Sequence, residues 1–175
     1  MYSSLLVIII LCGSIVQDIN SWGIVGHRLV SRLAQSQLND EAFQWVKSLL
    51  PWYFLGNLTS VAVWADDILY PNTNPYGYPN WQWSRPLHYI NTPSWNCNYD
   101  RLRDCVNDVC VAGALNNYSK RAIAADFDDI QHQEAIMFLV HYVGDVHQPL
   151  HVGFQEDRGG NSVRGKSLFL NSKQE

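Results

Sequence analysis

One apolar helix in this chain has to bury a histidine together with an aspartate. His141 and Asp145 are four residues apart, so a helix places both on one face, and Phe138 shares that face with them. Burying an imidazole and a carboxylate without partners costs several kcal/mol. A zinc ion is one suitable partner, and a hydrogen-bonded pair in a metal-free core is the other. His151, just past the break at Pro149, can reach the same cavity.

The rest of the chain also predicts helices. At 175 residues and 47% hydrophobic content it is long enough for one domain with a core. Apolar spacing predicts helices at about 26–38, 40–50, 59–66, 110–125 and 128–147, with an aromatic loop at 70–93. Asn39 or Asp40 is the expected cap of the second helix, which Pro51 ends, and Thr59 or Ser60 the cap of the third. Because no alternating strand pattern appears, the predicted fold class is all-α.

The N-terminus is typical of a secretory signal. An apolar run at 5–11 is followed by small and polar residues as far as Ser21, and cleavage there leaves Trp22 as the first residue. The run is too short to span a bilayer. No Lys or Arg precedes it, so a membrane-associated N-terminus remains an alternative. We expect a secreted protein.

The cysteines and sequons fit an oxidising compartment. After signal cleavage an odd number of cysteines remains. Cys105 and Cys110 are close enough in sequence to close a small loop, whereas Cys97 has no evident partner. Asn57 and Asn117 begin glycosylation sequons, which are meaningful only if the chain is secreted.

The overall charge excludes a simple electrostatic nucleic-acid binder. With 12 basic and 16 acidic residues, the net charge is -4. Metal ions must therefore supply positive charge if the chain handles nucleic acid. Asp66, His88 and His27 are further candidate ligands, although each taken alone favours a structural role. An α-amino group has a pKa of about 8, so the amine of Trp22 is a plausible zinc donor beside His27.

These pieces occur in one order along the chain. The motifs are Trp22-Gly23-x-x-Gly26-His27, Trp64-Ala65-Asp66, Leu87-His88-Tyr89-Ile90, Arg103-Asp104-Cys105, His141-x-x-Gly144-Asp145, Gln148-Pro149-Leu150-His151 and Asp157-Arg158-Gly159-Gly160-Asn161. Together they closely resemble the single-strand-specific zinc nucleases of fungi and plants, over residues 22 to about 161. The last motif is particularly similar to the plant endonuclease branch.

The resemblance implies an all-helical fold that binds three zinc ions. The first zinc would be held by Asp66, His88, His141 and Asp145; the second by the amine and carbonyl of Trp22, with His27 and Asp145; the third would have His151 as its first ligand. Asp145 would bridge the first two ions, and Asp66 and Asp145 are the residues that we expect to be catalytic.

The resemblance also implies the substrate. The expected activity is endonucleolytic hydrolysis of single-stranded DNA and RNA to 5′-phosphate products, by a monomer with no membrane partner. Tyr89 would stack on an unpaired base, and Asn91 and Asn161 would make polar contacts beside it.

The C-terminal end departs from the family pattern. A further His and Asp of the third zinc site normally follow the Gly-Gly-Asn segment, but neither occurs after Val163, and Leu69 stands where the family tends to place an arginine. We therefore expect a C-terminally truncated chain with a signal at 1–21, part of a nuclease domain at 22–161 and a divergent tail at 162–175. About two zinc ions would be fully liganded, and activity would fall by about a thousandfold or more.

Three other readings compete with the nuclease. A zinc phospholipase C of the related bacterial fold also uses an N-terminal Trp and three zinc ions. The chain is alternatively a non-catalytic secreted remnant that binds zinc. An ordinary metal-free helical domain requires every spaced ligand to be a coincidence.

Overall fold

A computed structural model describes residues 17–18, 23–158, 162 and 164–165. Its α-helices are α1 (Ile24–Ser36), α2 (Asp40–Leu49), α3 (Leu58–Val61), α4 (Trp64–Asp67), α5 (Arg101–Asp104), α6 (Val111–Arg121) and α7 (Asp129–His147). Short 3-10 helices cover Trp52–Phe54, Tyr78–His88, Val106–Asp108, Pro149–Val152 and Gln155–Asp157. Two-residue strands, Gln17–Asp18 and Arg164–Gly165, pair antiparallel. The all-α prediction is confirmed.

The helix ends that carried clear capping signals lie where the sequence predicts them. The Asn39 side chain accepts a hydrogen bond from the backbone N–H of Ala42 at 2.8 Å and begins α2, which ends at Leu49 before Pro51. Asp128 begins α7 in a capping box with Gln131. Local side-chain chemistry thus fixes the start of the helix on which the site depends.

Two other predictions differ from the structure. The third helix is capped by Asn57 rather than Thr59 or Ser60, and it is interrupted between α3 and α4. The predicted aromatic loop contains the 3-10 helix Tyr78–His88. Proline lacks the N–H that a continuous α-helix needs, and Pro86 lies inside this segment, which instead forms 3-10 turns.

The core is centred on α7, which packs against α6, α1 and α4. Phe138 is stacked on Tyr142 with ring centroids 5.4 Å apart and on Tyr118 at 4.8 Å, while Trp64 meets it edge-on at 5.0 Å. Burial of this aromatic cluster holds His141 and Asp145, which lie on the same face of α7, inside the protein. Among the described residues, no helix is both long and apolar enough to cross a membrane.

A disulfide closes the loop before α6. Cys105 and Cys110 are joined with their Cα atoms 5.2 Å apart, so the predicted pairing is confirmed. The loop lies so close to α6 that a Cβ on Gly113 would be 2.0 Å from the carbonyl oxygen of Asp108. Cys97 is exposed and free within the described part of the chain.

Candidate metal centre

Four imidazoles surround the buried carboxylate of Asp145, whose side chain is 1% exposed. Its Oδ1 lies 3.4 Å from Nε2 of His27 and 3.7 Å from Nε2 of His151. Its Oδ2 lies 3.1 Å from Nδ1 of His88 and 3.3 Å from Nε2 of His141. The second carboxylate, Asp66, places Oδ1 3.6 Å from both of these last two nitrogens. The six predicted ligands on the described part of the chain therefore form one cluster.

The backbone fixes the orientation of the His141 ring. Its Nδ1 lies 2.7 Å from the carbonyl oxygen of Ala62, and because a carbonyl only accepts, Nδ1 carries the proton. In a neutral ring, Nε2 then directs a lone pair toward Nδ1 of His88 at 3.1 Å and toward the Asp145 carboxylate. A lone pair facing a carboxylate is repulsive unless a cation lies between them, so this cluster requires a proton or a metal ion.

The chemistry of the donors fits a metal ion. His27, His141 and Asp145 form one group whose ligand atoms lie within 4.8 Å of one another, and Asp66, His88 and His141 form a second. Imidazole nitrogen and carboxylate oxygen are the donors that zinc takes in hydrolytic sites. A ring held by a carbonyl on its outer nitrogen is the usual support of a metal-binding histidine. The role of Ala62 could not be predicted from the sequence, because every residue has a backbone carbonyl.

His27 reaches the cluster because α7 has a glycine beside it. The His27 ring stacks on His141 with centroids 4.0 Å apart, and a Cβ on Gly144 would lie 2.5 Å from Nδ1 of His27. Ser31 donates a hydrogen bond to the backbone oxygen of His27, one turn along α1. The glycine in the His-x-x-Gly-Asp motif thus makes room for a ligand from another helix.

An extended segment brings His88 and His151 together. Directly after His88, the N–H of Ile90 donates to the carbonyl of His151 at 2.7 Å, and the N–H of Thr92 donates to that of Gly153 at 2.9 Å. Gln148 is buried, and its side chain accepts from the N–H of Leu150 at the start of the 3-10 turn that carries His151. This pairing was not predicted, because the segment lacks an alternating apolar pattern.

Burial and neighbouring charges shift the pKa values of the histidines in different directions. Burial, with repulsion from His141, lowers the pKa of His27 to about 4, and burial also lowers the pKa of His151. Burial opposes charging of His141 too, but attraction by Asp145 outweighs it and raises its pKa to about 9. His141 and His88 together hold the pKa of Asp145 well below its usual range despite burial. Without metal, the centre is an ion pair flanked by neutral imidazoles.

The cluster opens to solvent on one side. The Asp66 side chain is 43% exposed, whereas those of His27, His88, His141 and His151 are at most 13% exposed. The solvent-accessible side of the cluster is therefore the side at Asp66.

The structure describes some of the remaining predicted site residues but not all of them. Tyr89 and Asn91 are half-buried in the extended segment that follows His88. Trp22 and Asn161 lie outside the described residues, so the predicted N-terminal ligand and the second polar contact stay predictions. Asn57 and Asn117 are exposed, and their glycosylation also stays a prediction.

Fold and site together define a helical protein with two overlapping groups of candidate metal ligands that share His141. A family model, S1/P1 Nuclease, matches residues 22–169. The chain belongs to this family.

Curated relatives from plants and fungi agree with the assignment. Endonuclease 4 of Arabidopsis thaliana is 43% identical over 152 residues, covering 81% of this chain and 48% of the relative. Nuclease P1 of Penicillium citrinum is 36% identical and covers 74% of this chain and 47% of the relative. Nuclease S1 of Aspergillus oryzae is 31% identical, with coverages of 81% and 47%. The chain spans about half the length of these relatives.

Proposed function

We propose that this chain is a zinc-dependent endonuclease that hydrolyses phosphodiester bonds of single-stranded DNA and RNA. The observation that carries the proposal is the buried Asp145 carboxylate, with four imidazole nitrogens between 3.1 and 3.7 Å from its oxygens. An arrangement of this kind needs cations at its centre, and the net charge of -4 gives the protein no other general means of attracting a phosphate.

The candidate ligands would divide between two ions, with Asp145 contributing to both. Asp66, His88 and His141 would hold one zinc ion with Asp145, and His27 would hold the other with Asp145. We retain Trp22 as a further ligand of the second ion and His151 as a ligand of a third. Bound zinc supplies Lewis-acid polarisation of the phosphate and lowers the pKa of water toward neutrality.

The protein orients the ligands, shields the inner side of the cluster from water and leaves its outer side open. The carbonyl of Ala62 fixes the ring of His141, and the stacked ring of His27 excludes water from the inner side of the cluster. The half-exposed carboxylate of Asp66 forms the outer side, where a phosphodiester can enter. Asp66 and Asp145 are the proposed catalytic residues, because both would contact the ions that act on the substrate.

We propose that Tyr89 is responsible for the preference for single strands. Its backbone follows His88 directly and is held in an extended conformation, with its carbonyl accepting from the N–H of Val111 at 3.1 Å. Stacking on an aromatic ring requires an unpaired base. Asn91, two residues further along the same extended segment, and Asn161 remain the proposed polar contacts.

The names of the relatives favour a nuclease over a phospholipase C, because each of the three is named as a nuclease or endonuclease. We also propose a secreted monomer. The Cys105–Cys110 disulfide supports this destination, since disulfides persist in oxidising compartments.

The test combines metal content with cleavage. We expect the purified chain, with its N-terminus verified as Trp22, to contain about two zinc ions by elemental analysis and to cut single-stranded DNA in preference to a duplex. Asp145→Asn should lose both properties. Asp108→Asn, at an exposed ion pair with Arg101, should keep both. A chain without zinc, or one that releases phosphocholine from lecithin and leaves DNA intact, would refute the proposal.

A further inference from the structure

Helix α1 runs antiparallel to the segment that carries Asp66. At one end, the N–H of Leu58 donates to Oε1 of Gln35 at 2.9 Å. At the other end, His27 and Asp66 both meet His141 in the cluster, one by ring stacking and the other through Oδ1 at 3.6 Å. The residue after His27 lies two turns before Gln35 on the same face of α1, so it faces the segment that contains Asp66, the most exposed ligand of the cluster, and the residue after it.

Those two residues are Arg28 and Asp67. Arg28 is exposed, and within the described residues no carboxylate oxygen lies within 4.0 Å of its guanidinium. Burial and the charge of Asp66 raise the pKa of Asp67, and the positive charge of Arg28 acts in the opposite direction. Arg28 is thus an uncommitted cation close to the outer edge of the metal centre.

Four other arginines of the described structure are already engaged. Arg101 and Arg103 form ion pairs at 2.6 Å with Asp108 and Asp104, Arg85 lies over Tyr70 at 5.5 Å, and Arg121 lies over Phe127 at 4.8 Å. Helix α4 offers no cation either, because Leu69, just after it, is apolar and 4% exposed. On α1, Arg28 lies one turn nearer to His27 and the cluster than Arg32, which makes it the better placed of these two arginines to meet a phosphate at the Asp66 side.

We propose that Arg28 binds a phosphate oxygen of the nucleic-acid substrate at the open side of the metal centre. This inference rests on the proposed nuclease function and names a residue that holds its substrate. A guanidinium donates two parallel N–H bonds to phosphate oxygens and stays charged at every working pH. Arg28 is therefore a substrate-binding residue, and its removal changes nucleic-acid affinity while zinc stays bound.

Arg32 provides a matched control. It is also exposed, and it lies one helical turn from Arg28 on α1, farther from the cluster. Arg28→Gln and Arg32→Gln remove the same charge from the same helix. Any effect of net charge alone is equal in the two variants.

The experiment measures binding of a fluorescent phosphorothioate oligothymidylate to the zinc-loaded full chain over a series of salt concentrations. We expect Arg28→Gln to weaken binding by about tenfold. We also expect it to reduce the slope of log affinity against log salt by about 0.7, the value for one phosphate contact to a single strand. Arg32→Gln should keep the original slope, and both variants should keep the zinc content and thermal midpoint. Arg28→Lys should keep the slope and lose part of the affinity, because lysine is a point charge.

The outcomes distinguish this inference from the proposed function. Equal slopes for both glutamine variants, with zinc-dependent binding by the unmodified chain, would overturn the role of Arg28 and leave the nuclease proposal standing. An unmodified chain that binds zinc but no oligonucleotide would overturn both. Loss of zinc in Arg28→Gln would assign the residue to metal-site integrity and likewise overturn a direct phosphate contact.

Discussion

At the scale of single residues, the metal centre depends as much on an absent side chain as on its ligands. Gly144 lies one residue before Asp145, and the His27 ring occupies the space that a Cβ would fill. Ligation by His27 therefore requires glycine on a neighbouring helix. Replacing Gly144 tests the positioning of His27 without removing a ligand atom.

We expect Gly144→Ala to displace His27 and to reduce bound zinc by about one ion, with a loss of about 1–3 kcal/mol in unfolding free energy from overpacking. Elemental analysis and urea denaturation measure the two effects. Gly153→Ala is the control, because its nearest contact, the carbonyl oxygen of Leu150, is at 3.3 Å. Unchanged zinc content in Gly144→Ala would contradict the role of the glycine.

Asp145 should stabilise the chain even without metal. The raised pKa of His141 and the lowered pKa of Asp145 describe an ion pair at neutral pH, and Asp145→Asn leaves a buried charge without its partner. We expect a loss of about 3–5 kcal/mol in unfolding free energy at pH 7 with a chelator present.

Asp108→Asn is again the comparison. It breaks the Arg101 pair, whose side chains are 64% and 47% exposed, so we expect little change. Equal losses in the two asparagine variants would show that the buried pair carries no special stability.

His141, Asp145 and His151 were predictable as candidate ligands for a physical reason, whereas Asp66, His88 and His27 were assigned to the metal centre only through the family resemblance. His141 and Asp145 share a helix face by spacing alone, and Pro149 predicted the turn that returns His151. The carbonyl of Ala62 was not predictable, since backbone acceptors leave no mark on sequence. Arg28 was also missed, because an exposed arginine on a helix is ordinary until its neighbours are known.

At the scale of elements, the strongest local signals were caps. Asn39 and Asp128 begin their helices as predicted, because a side-chain acceptor satisfies free N–H groups whatever the tertiary context. The 3-10 helix Tyr78–His88 and the pairing of Ile90 and Thr92 with the 151–153 segment depend on packing, and the sequence showed no period for either. Local chemistry predicted where α2 and α7 begin but not the cap of α3, and tertiary contacts decided the loops.

The capping box of α7 should contribute to stability without affecting zinc binding at the metal centre. Asp128 accepts from the N–H of Gln131 at 2.8 Å, four turns from the ligands. We expect Asp128→Ala to lower the unfolding free energy by about 1 kcal/mol and to leave zinc content unchanged. Thermal unfolding with parallel elemental analysis would check this, and a loss of zinc would show that the two ends of α7 are coupled.

At the scale of the whole molecule, the ligands come from α1, α4, α7 and two 3-10 helices, so zinc should stabilise the fold as a unit. We expect each tenfold rise in free zinc above its dissociation constant to add about 1.4 kcal/mol per bound ion to the unfolding free energy. The thermal midpoint should rise with zinc and fall in EDTA, while magnesium at the same concentration should have little effect. A midpoint insensitive to zinc would contradict a metal centre in this chain.

The geometry of the shared carboxylate also constrains the order of folding. Asp145 meets His27 and His88 only after α7 has packed, because those ligands belong to segments far apart in the chain. Because His27 and His88 must arrive from distant segments, we expect most of the zinc contacts to form late in folding. It follows that metal should slow unfolding far more than it accelerates refolding, so the lifetime of the native state would be set by how tightly the centre holds its ions.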